Sequence, residues 1–228
     1  VQNDRPRLSA SMEETAENVA AVEKNENLEK NPSNSNQNPG EGQNWTVFAM
    51  DTVMQFDAYG GSANLQEKVK RRVEELEGEL STTQENSDIF HLNQEKTAEL
   101  SADTRYLMQE ALALGAETDG ALDISIYPVV QSWGFTTGNY RVPSESERES
   151  LLKSVDYRLV GLEADTASIE PGMMVDLGGV GKGFTGDEVV KTMKEDGVTS
   201  ALFSLGGNIQ TIGTKPDGEK WYVGIKDP

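Results

Sequence analysis

The sequence predicts an α+β domain in which a mixed or antiparallel sheet is covered by helices. Three observations carry that expectation. Residues 45–60 are rich in β-branched and aromatic types and alternate as a strand does; two long amphipathic periods follow, at 64–80 and about 98–117; and short apolar runs separated by glycine turns occupy the chain from 198 onward.

The totals exclude several function classes before any motif is read. A length of 228 residues suffices for one sizeable domain, or a domain with a tail. With 39 acidic against 20 basic side chains the formal charge is −19, which argues against nucleic acid or an anionic membrane surface as a partner. An acidic protein that holds a phosphorylated ligand must neutralise like charge locally, with a lysine in the site or a divalent metal. Disulfides, thiolate zinc sites and a cysteine nucleophile are excluded, because there is no cysteine. The single histidine, His91, argues against a Ser-His-Asp triad or a two-His zinc site. In its polar context, SDIFHLN, a surface or hydrogen-bonded structural role is expected. No run approaches the ~18 apolar residues of a membrane span. There is also no apolar N-terminal stretch, so any signal peptide is expected to have been removed or never to have existed.

Taken in order, residues 1–44 differ in kind from the rest. They hold nine asparagines, eight acids and four bases, with no aromatic residue. Such a segment cannot bury enough apolar surface to offset its ordering entropy, so a flexible polar tether is expected. A short helix between Ser11 and Leu28 would be marginal alone. The composition suits equally an exported protein held near a membrane and an ordinary disordered tail.

Order is expected to begin at Trp45, with a strand that bends near Asp51 and ends at Gly60-Gly61. Asn64 and Glu67 then have capping-box spacing, before a helix whose apolar stripe is Leu65, Val69, Val73, Leu76 and Leu80. Residues 81–93 read as a polar connection, and a second helix as 98–117. Gly120 and Pro128 break regular structure in 118–135, where Trp133 and Phe135 are either core aromatics or a surface for a planar ring. Asp123, between Leu122 and Ile124, is a carboxylate in apolar surroundings and needs a partner. Pro143-Ser144 with Glu147 opens a helix to about Val155. A hairpin is expected over 157–169. Strands at 198–205, 208–213 and 221–225 complete the domain, and ending on an apolar strand suggests a missing C-terminal part.

The stretch 174–213 organises the remainder. It reads as a buried strand end, a loop with Gly178, Gly179, Gly181 and Gly183, and a helix closing at Gly197. Closely spaced glycines let main chain approach a ligand, and a helix start offers free N–H groups to an anion. Lys182 adds a positive charge, and Asp176 could face a cation or a ligand hydroxyl. Neither the P-loop spacing nor the dinucleotide fingerprint is met, so tight packing and a ligand cradle both remain open readings.

Six segments in order, AMDTVMQF, LSTTQENSDIFHLN, ALDISIYPVVQSWGF, VDLGGVGKGFTGDEVV, SLGGNIQTIG and KPDGEKWYVGIKDP, resemble the FAD:protein FMN transferases, the ApbE family, over residues 50–228. That resemblance implies an ApbE-like (T-fold-like) domain over 45–228. It implies a site that binds FAD with Mg²⁺ and attaches FMN through a phosphoester bond to a Thr or Ser hydroxyl of a target protein, releasing AMP. The nucleophile then belongs to the partner, and many members are exported lipoproteins. An extracytoplasmic protein, lipid-anchored through its N-terminal tether, is therefore expected. By the same resemblance Met50 contacts flavin, Ala121, Leu122 and Asp123 form an FAD-contacting tripeptide, Asp176 and Lys182 contact FAD, and the carbonyl of Gly179 coordinates the metal. Two departures stand out. Thr83 occupies a place commonly held by an aromatic residue, and the C-terminal segment that donates metal-binding carboxylate and hydroxyl groups has no counterpart. The chain is thus expected to be a fragment or a member truncated at its C-terminus, with reduced or no activity unaided. The alternatives are an FAD pyrophosphatase yielding FMN and AMP, and a non-catalytic flavin-binding domain.

Overall fold

A computed structural model describes residues 42–225. The expected helix at 11–28 and nearly all of the tether lie outside the described residues. Strand β1 (Gly42–Ala49) begins three residues before Trp45, because Gln43 is buried and its amide donates to the carbonyls of Gly60 and Ser62. The expected single bent strand is a hairpin. β1 turns through Met50 and Asp51 into β2 (Thr52–Gly60), with Ala49 paired to Thr52. Both turn residues have positive φ, 51° and 55°, as a two-residue type I′ connection requires.

β6 (Val198–Leu205) pairs antiparallel with β2, and β7 (Asn208–Ile212) pairs with β6, giving the order β1-β2-β6-β7. Gly206 and Gly207 join the last two strands, both at positive φ; a Cβ on Gly206 would lie 2.3 Å from the Thr52 hydroxyl. The strands alternate cleanly. Met54, Phe56 and Ala58 point inward, while Val53, Gln55 and Asp57 face out. One inward row crosses three strands: Trp45 stacks on Phe56 at 4.9 Å, and Phe56 on Phe203 at 5.6 Å.

Helices cover the inner face. The whole predicted stripe of α1 (Leu65–Leu80) is buried. Leu65, Val69 and Val73 pack on the sheet with Val189 and Met193 of α6 (Gly178–Glu195), whereas Leu76 and Leu80 join a second core. The expected capping box at Asn64 does not form, for its side chain makes no cap bond. Asp196 takes over the role from the far end of α6. Its carboxylate accepts from the Ser62 N–H at 2.7 Å and pairs with Lys68. Burial alone would raise the Asp196 pKa, but the bonds from Lys68 and Ser62 prevail and hold it below the usual carboxylate range. Arg72 joins three helices, bonding Glu188 of α6 and Asp103 at 2.7 Å each.

The 81–93 stretch is only partly a connection. Helix α2 (Asp88–Glu95) is capped by Ser87, which accepts from the Phe90 N–H at 2.9 Å. β3 (Thr97–Glu99) and α3 (Ala102–Glu117) follow, so the second long helix starts four residues later than its apolar period suggests. Pro128 does not break structure; it lies in the first turn of α4 (Tyr127–Ser132), where a missing N–H goes unnoticed. Ser144 caps α5 (Glu145–Leu152) as expected, accepting from the Glu147 N–H. β4 (Gly161–Glu163) and β5 (Thr166–Ser168) form the expected hairpin, extended to three strands by β3. Residues 221–225 form no strand.

One prediction arises from α1. Glu79 accepts from the Ser101 hydroxyl, which caps α3. Burial raises the Glu79 pKa; the Ser101 bond opposes the rise, and nearby Asp103 and Asp88 add to it. A carboxylate whose pKa is raised on folding stabilises the fold fully only below its unfolded pKa, and that contribution is lost as pH rises through the folded value. Glu79→Gln is therefore expected to raise Tm at pH 7 by roughly 1–2 °C, with the difference vanishing below about pH 4. A Glu79→Gln curve parallel to wild type across that range would contradict this.

Candidate functional site

The site is built where α6 begins. Residues 122–126 run beside 174–176: the Asp176 N–H donates to the Ile124 carbonyl at 2.8 Å, and Ile126 bridges Met174 in parallel. Asn93 of α2, 3% exposed, clamps the same run. Its amide donates to the Val175 carbonyl at 2.8 Å and accepts from the Val175 N–H at 2.6 Å. The chain thus enters α6 in a fixed direction. Asp176 Oδ1 then accepts from the Gly178 N–H at 2.7 Å, where a carboxylate complements the positive end of the helix dipole.

The four glycines are not a loop. They occupy the first two turns of α6, which starts at Gly178. Helix interiors disfavour glycine by about 1 kcal/mol relative to alanine, so each needs a reason. Gly178 has one, since a Cβ there would lie 3.0 Å from Asp176 Oδ1. The others have none among the described residues. A Cβ on Gly179 would meet only Leu122 at 3.7 Å, on Gly181 only Leu80 at 4.0 Å, and on Gly183 nothing within 4 Å. Gly186 is the contrast: there a Cβ would strike the Gln210 amide at 2.3 Å, which is packing.

Beside this helix start lies a cavity of about 660 Å³. One wall is the Met50–Asp51 turn, held by Glu77, whose Oε1 accepts from the Met50 N–H at 2.7 Å. A second wall is the 81–84 turn, where the Ser81 hydroxyl accepts from the N–H groups of Thr83 and Gln84 at 3.1 Å each. Phe135 and Tyr140, 58% and 63% exposed, form a third, with Trp133 stacked behind Phe135. Asp176, Gly178, Gly181 and Lys182 complete it, Lys182 being the one basic residue among the described residues that line it.

Met50, Asp176 and Lys182 are therefore brought to one cavity. Leu122 reaches the same helix start through its contact with the Gly179 position, and Ala121 precedes it in an exposed turn. Asp123 lies elsewhere. It lines a separate groove of about 290 Å³ with Asp119, Asp156 and Arg158. Its partner is local: Oδ1 accepts from the Ser125 N–H and hydroxyl at 2.8 and 2.6 Å, and Oδ2 from the Tyr157 N–H at 3.0 Å. Those bonds explain how a carboxylate is tolerated in an apolar sequence context, without a ligand.

A profile of the ApbE family matches residues 50–228. The chain belongs to the ApbE family. It is 30% identical over 173 residues to the FAD:protein FMN transferase of Vibrio cholerae, covering 73% of this chain and 52% of that protein. To the enzyme of the same name from Escherichia coli it is 27% identical, over 82% of this chain and 56% of the relative. It thus spans about half the length of the curated relatives it matches. Among solved structures, the flavin transferase ApbE from Vibrio cholerae superposes with a TM-score of 0.76 at 27% identity, over 83% of this chain and 65% of the other. The ApbE protein of Thermotoga maritima gives 0.75 at 27%, over 82% and 64%.

Against the ApbE expectation of a metal, the described residues offer little. Among them no group of three or more His, Cys, Asp or Glu is placed to hold an ion. Gly179 lies in the first turn of α6, so its carbonyl already serves the helix and has one lone pair to spare. These residues do not by themselves make the near-octahedral oxygen set that Mg²⁺ requires. Glu77, Ser81 and Asn93 are the residues that motif reading passes over. Glu77 and Asn93 act through backbone groups distant in sequence, a signal that periodicity cannot carry, whereas Ser81 bonds within its own turn.

Proposed function

We propose that this ApbE-family chain binds FAD in the cavity at the start of α6 and serves the transfer of FMN to a Thr or Ser hydroxyl of a target protein. The observation that carries the reading is Gly181, a helical glycine in the cavity lining beside Lys182, where a Cβ would meet only Leu80 at 4.0 Å among the described residues. A pyrophosphate can come against main chain at Gly181; of the first-turn N–H groups, that of Gly178 goes to Asp176 and those of Val180 and Gly181 to the Leu177 carbonyl, so among the described residues only the Gly179 N–H stays open to an anion. Lys182 supplies the neutralising charge as a compact ammonium. Asp176 accepts from a ribose hydroxyl or ring N–H, and Met50 packs on the flavin. Phe135 and Tyr140 offer the ring-stacking surface that the Thr83 position lacks.

In the reaction the partner's hydroxyl oxygen forms a bond to the FMN phosphorus, the pyrophosphate P–O bond breaks, AMP leaves with the bridging oxygen, and the hydroxyl proton is released. The proposal includes Mg²⁺, which would supply charge stabilisation at the pyrophosphate; the chemistry assigned to this chain's own residues is binding and orientation. It also places the protein outside the cytoplasm, tethered by residues 1–44. The asparagine-rich, polar composition of residues 1–44 suits such a tether.

The test is to mix the protein with FAD, Mg²⁺ and a peptide bearing the acceptor hydroxyl. Flavinylated peptide is the expected product. Free FMN instead would make the protein a pyrophosphatase, and bound but unreacted FAD a flavin-binding domain. Lys182→Ala is expected to weaken FAD binding about tenfold in a fluorescence titration. Unchanged affinity in that variant would remove the pyrophosphate from this helix start.

A further inference from the structure

The hairpin turn that carries Met50 to the cavity is made of residues that resist its geometry. Type I′ connections favour Asn-Gly or Asp-Gly, because both central residues take positive φ. Here they are Met50 and Asp51, neither a glycine. Such a conformation persists only where the surroundings over-determine it, and it collects at functional sites.

The surroundings are specific. The Met50 N–H, which no strand partner takes up at the turn, donates to Glu77 Oε1 at 2.7 Å. From the other side the Thr185 hydroxyl, itself bonded to the Gly181 carbonyl at 2.8 Å, lies 3.5 Å from the Met50 sulfur. Glu77 also accepts through its backbone carbonyl from the Ser81 N–H, at the head of the 81–84 turn. One residue of α1 therefore ties together two walls of the cavity. A carboxylate facing a pyrophosphate site is electrostatically unwelcome, so its presence calls for a purpose other than ligand attraction.

We infer that Glu77 is a positioning residue: its carboxylate latches the Met50–Asp51 turn in the left-handed region and so sets the Met50 side chain against the flavin. The affinity readout rests on the FAD reading given above, whereas the latch itself does not. Charge-assisted bonds to backbone N–H groups are the strong class, which suits a latch on a strained turn. Glu77 is half-buried and outside the apolar stripe of α1, so its truncation leaves the core in place.

The experiment uses the full 228-residue chain with three variants, Glu77→Ala, Glu77→Gln, and Glu77→Ala combined with Asp51→Gly. Two quantities are read: the FAD dissociation constant by fluorescence titration, and hydrogen exchange of the Met50 amide without FAD. Glu77→Ala is expected to weaken FAD about tenfold and to speed Met50 exchange by at least a similar factor. Glu77→Gln should stay much closer to wild type than to alanine in both, since an amide oxygen accepts the same bond without the carboxylate's charge. Adding Asp51→Gly should restore most of the affinity to the alanine variant, because glycine takes positive φ freely. Unchanged Met50 exchange in Glu77→Ala overturns the latch. Glu77→Gln behaving like alanine overturns it too, by assigning the effect to charge. A wild-type chain that takes up no FAD defeats the flavin reading alone, and the exchange measurement still decides the latch.

Discussion

Gly181→Ala is expected to yield a protein that melts higher and binds FAD ten- to a hundredfold more weakly. The two effects have separate causes. In the interior of α6, alanine is favoured over glycine by about 1 kcal/mol, and the added Cβ would meet only Leu80 at 4.0 Å, so folding gains and nothing is strained. That gain corresponds to a Tm increase of roughly 2–4 °C. The methyl group then occupies the lining of the cavity, where the proposed FAD would bring its pyrophosphate against main chain; overpacking of about 1–3 kcal/mol is about ten- to a hundredfold in affinity. Gly186→Ala in the same helix is the control. Its Cβ would collide with Gln210, so it should lower Tm. Calorimetry and flavin titration on one preparation check both signs, and a Gly181→Ala protein with wild-type affinity would return that glycine to mere helix packing.

Phe203→Ala should produce the largest loss of stability, about 3–5 kcal/mol. Phe203 is wholly buried at the centre of β6, flanked by Phe56 across the strand pair, with Trp45 one strand further. Its other cross-strand neighbour is Gln210, which bonds Asp187 of α6. Deleting the ring removes an aromatic contact and leaves a void bounded by side chains that are themselves locked by register. A Tm lower by roughly 10 °C is expected in thermal unfolding. A drop under about 3 °C would mean that the row of rings is not a principal support of the sheet.

The sheet and its long helices were legible because their signals are local. α1 announces itself by an apolar residue every three or four positions, and β2 by strict alternation. Turn chemistry was legible only where glycine marks it. Gly206-Gly207 reads as a turn, but Met50-Asp51 does not, so the sequence reads as one bent strand where the structure has a hairpin. The glycines of α6 misled in the opposite sense: their composition says loop, yet the flanking residues keep them helical. Lys182 and Asp176 stand out by their places in and just before the glycine-rich stretch, and the family resemblance points to them again. Glu77 and Asn93 were not found, because each finds its backbone partner through tertiary placement. Asp123 shows the converse, a carboxylate whose apolar neighbours call for a partner and whose bonds are made with Ser125 and Tyr157.

The Asn93 clamp has a consequence for the lifetime of the molecule. Exchanging the side-chain nitrogen for oxygen, as spontaneous deamidation does, would turn the donor to the Val175 carbonyl into another acceptor and set two oxygens against each other. The native fold shields that amide from hydrolysis, whereas a nascent or transiently opened chain exposes it. Chemical ageing at this position would therefore be inflicted on chains before they fold, and the damaged ones would be sorted by their failure to seat the entry to α6, with no molecule worn out in service.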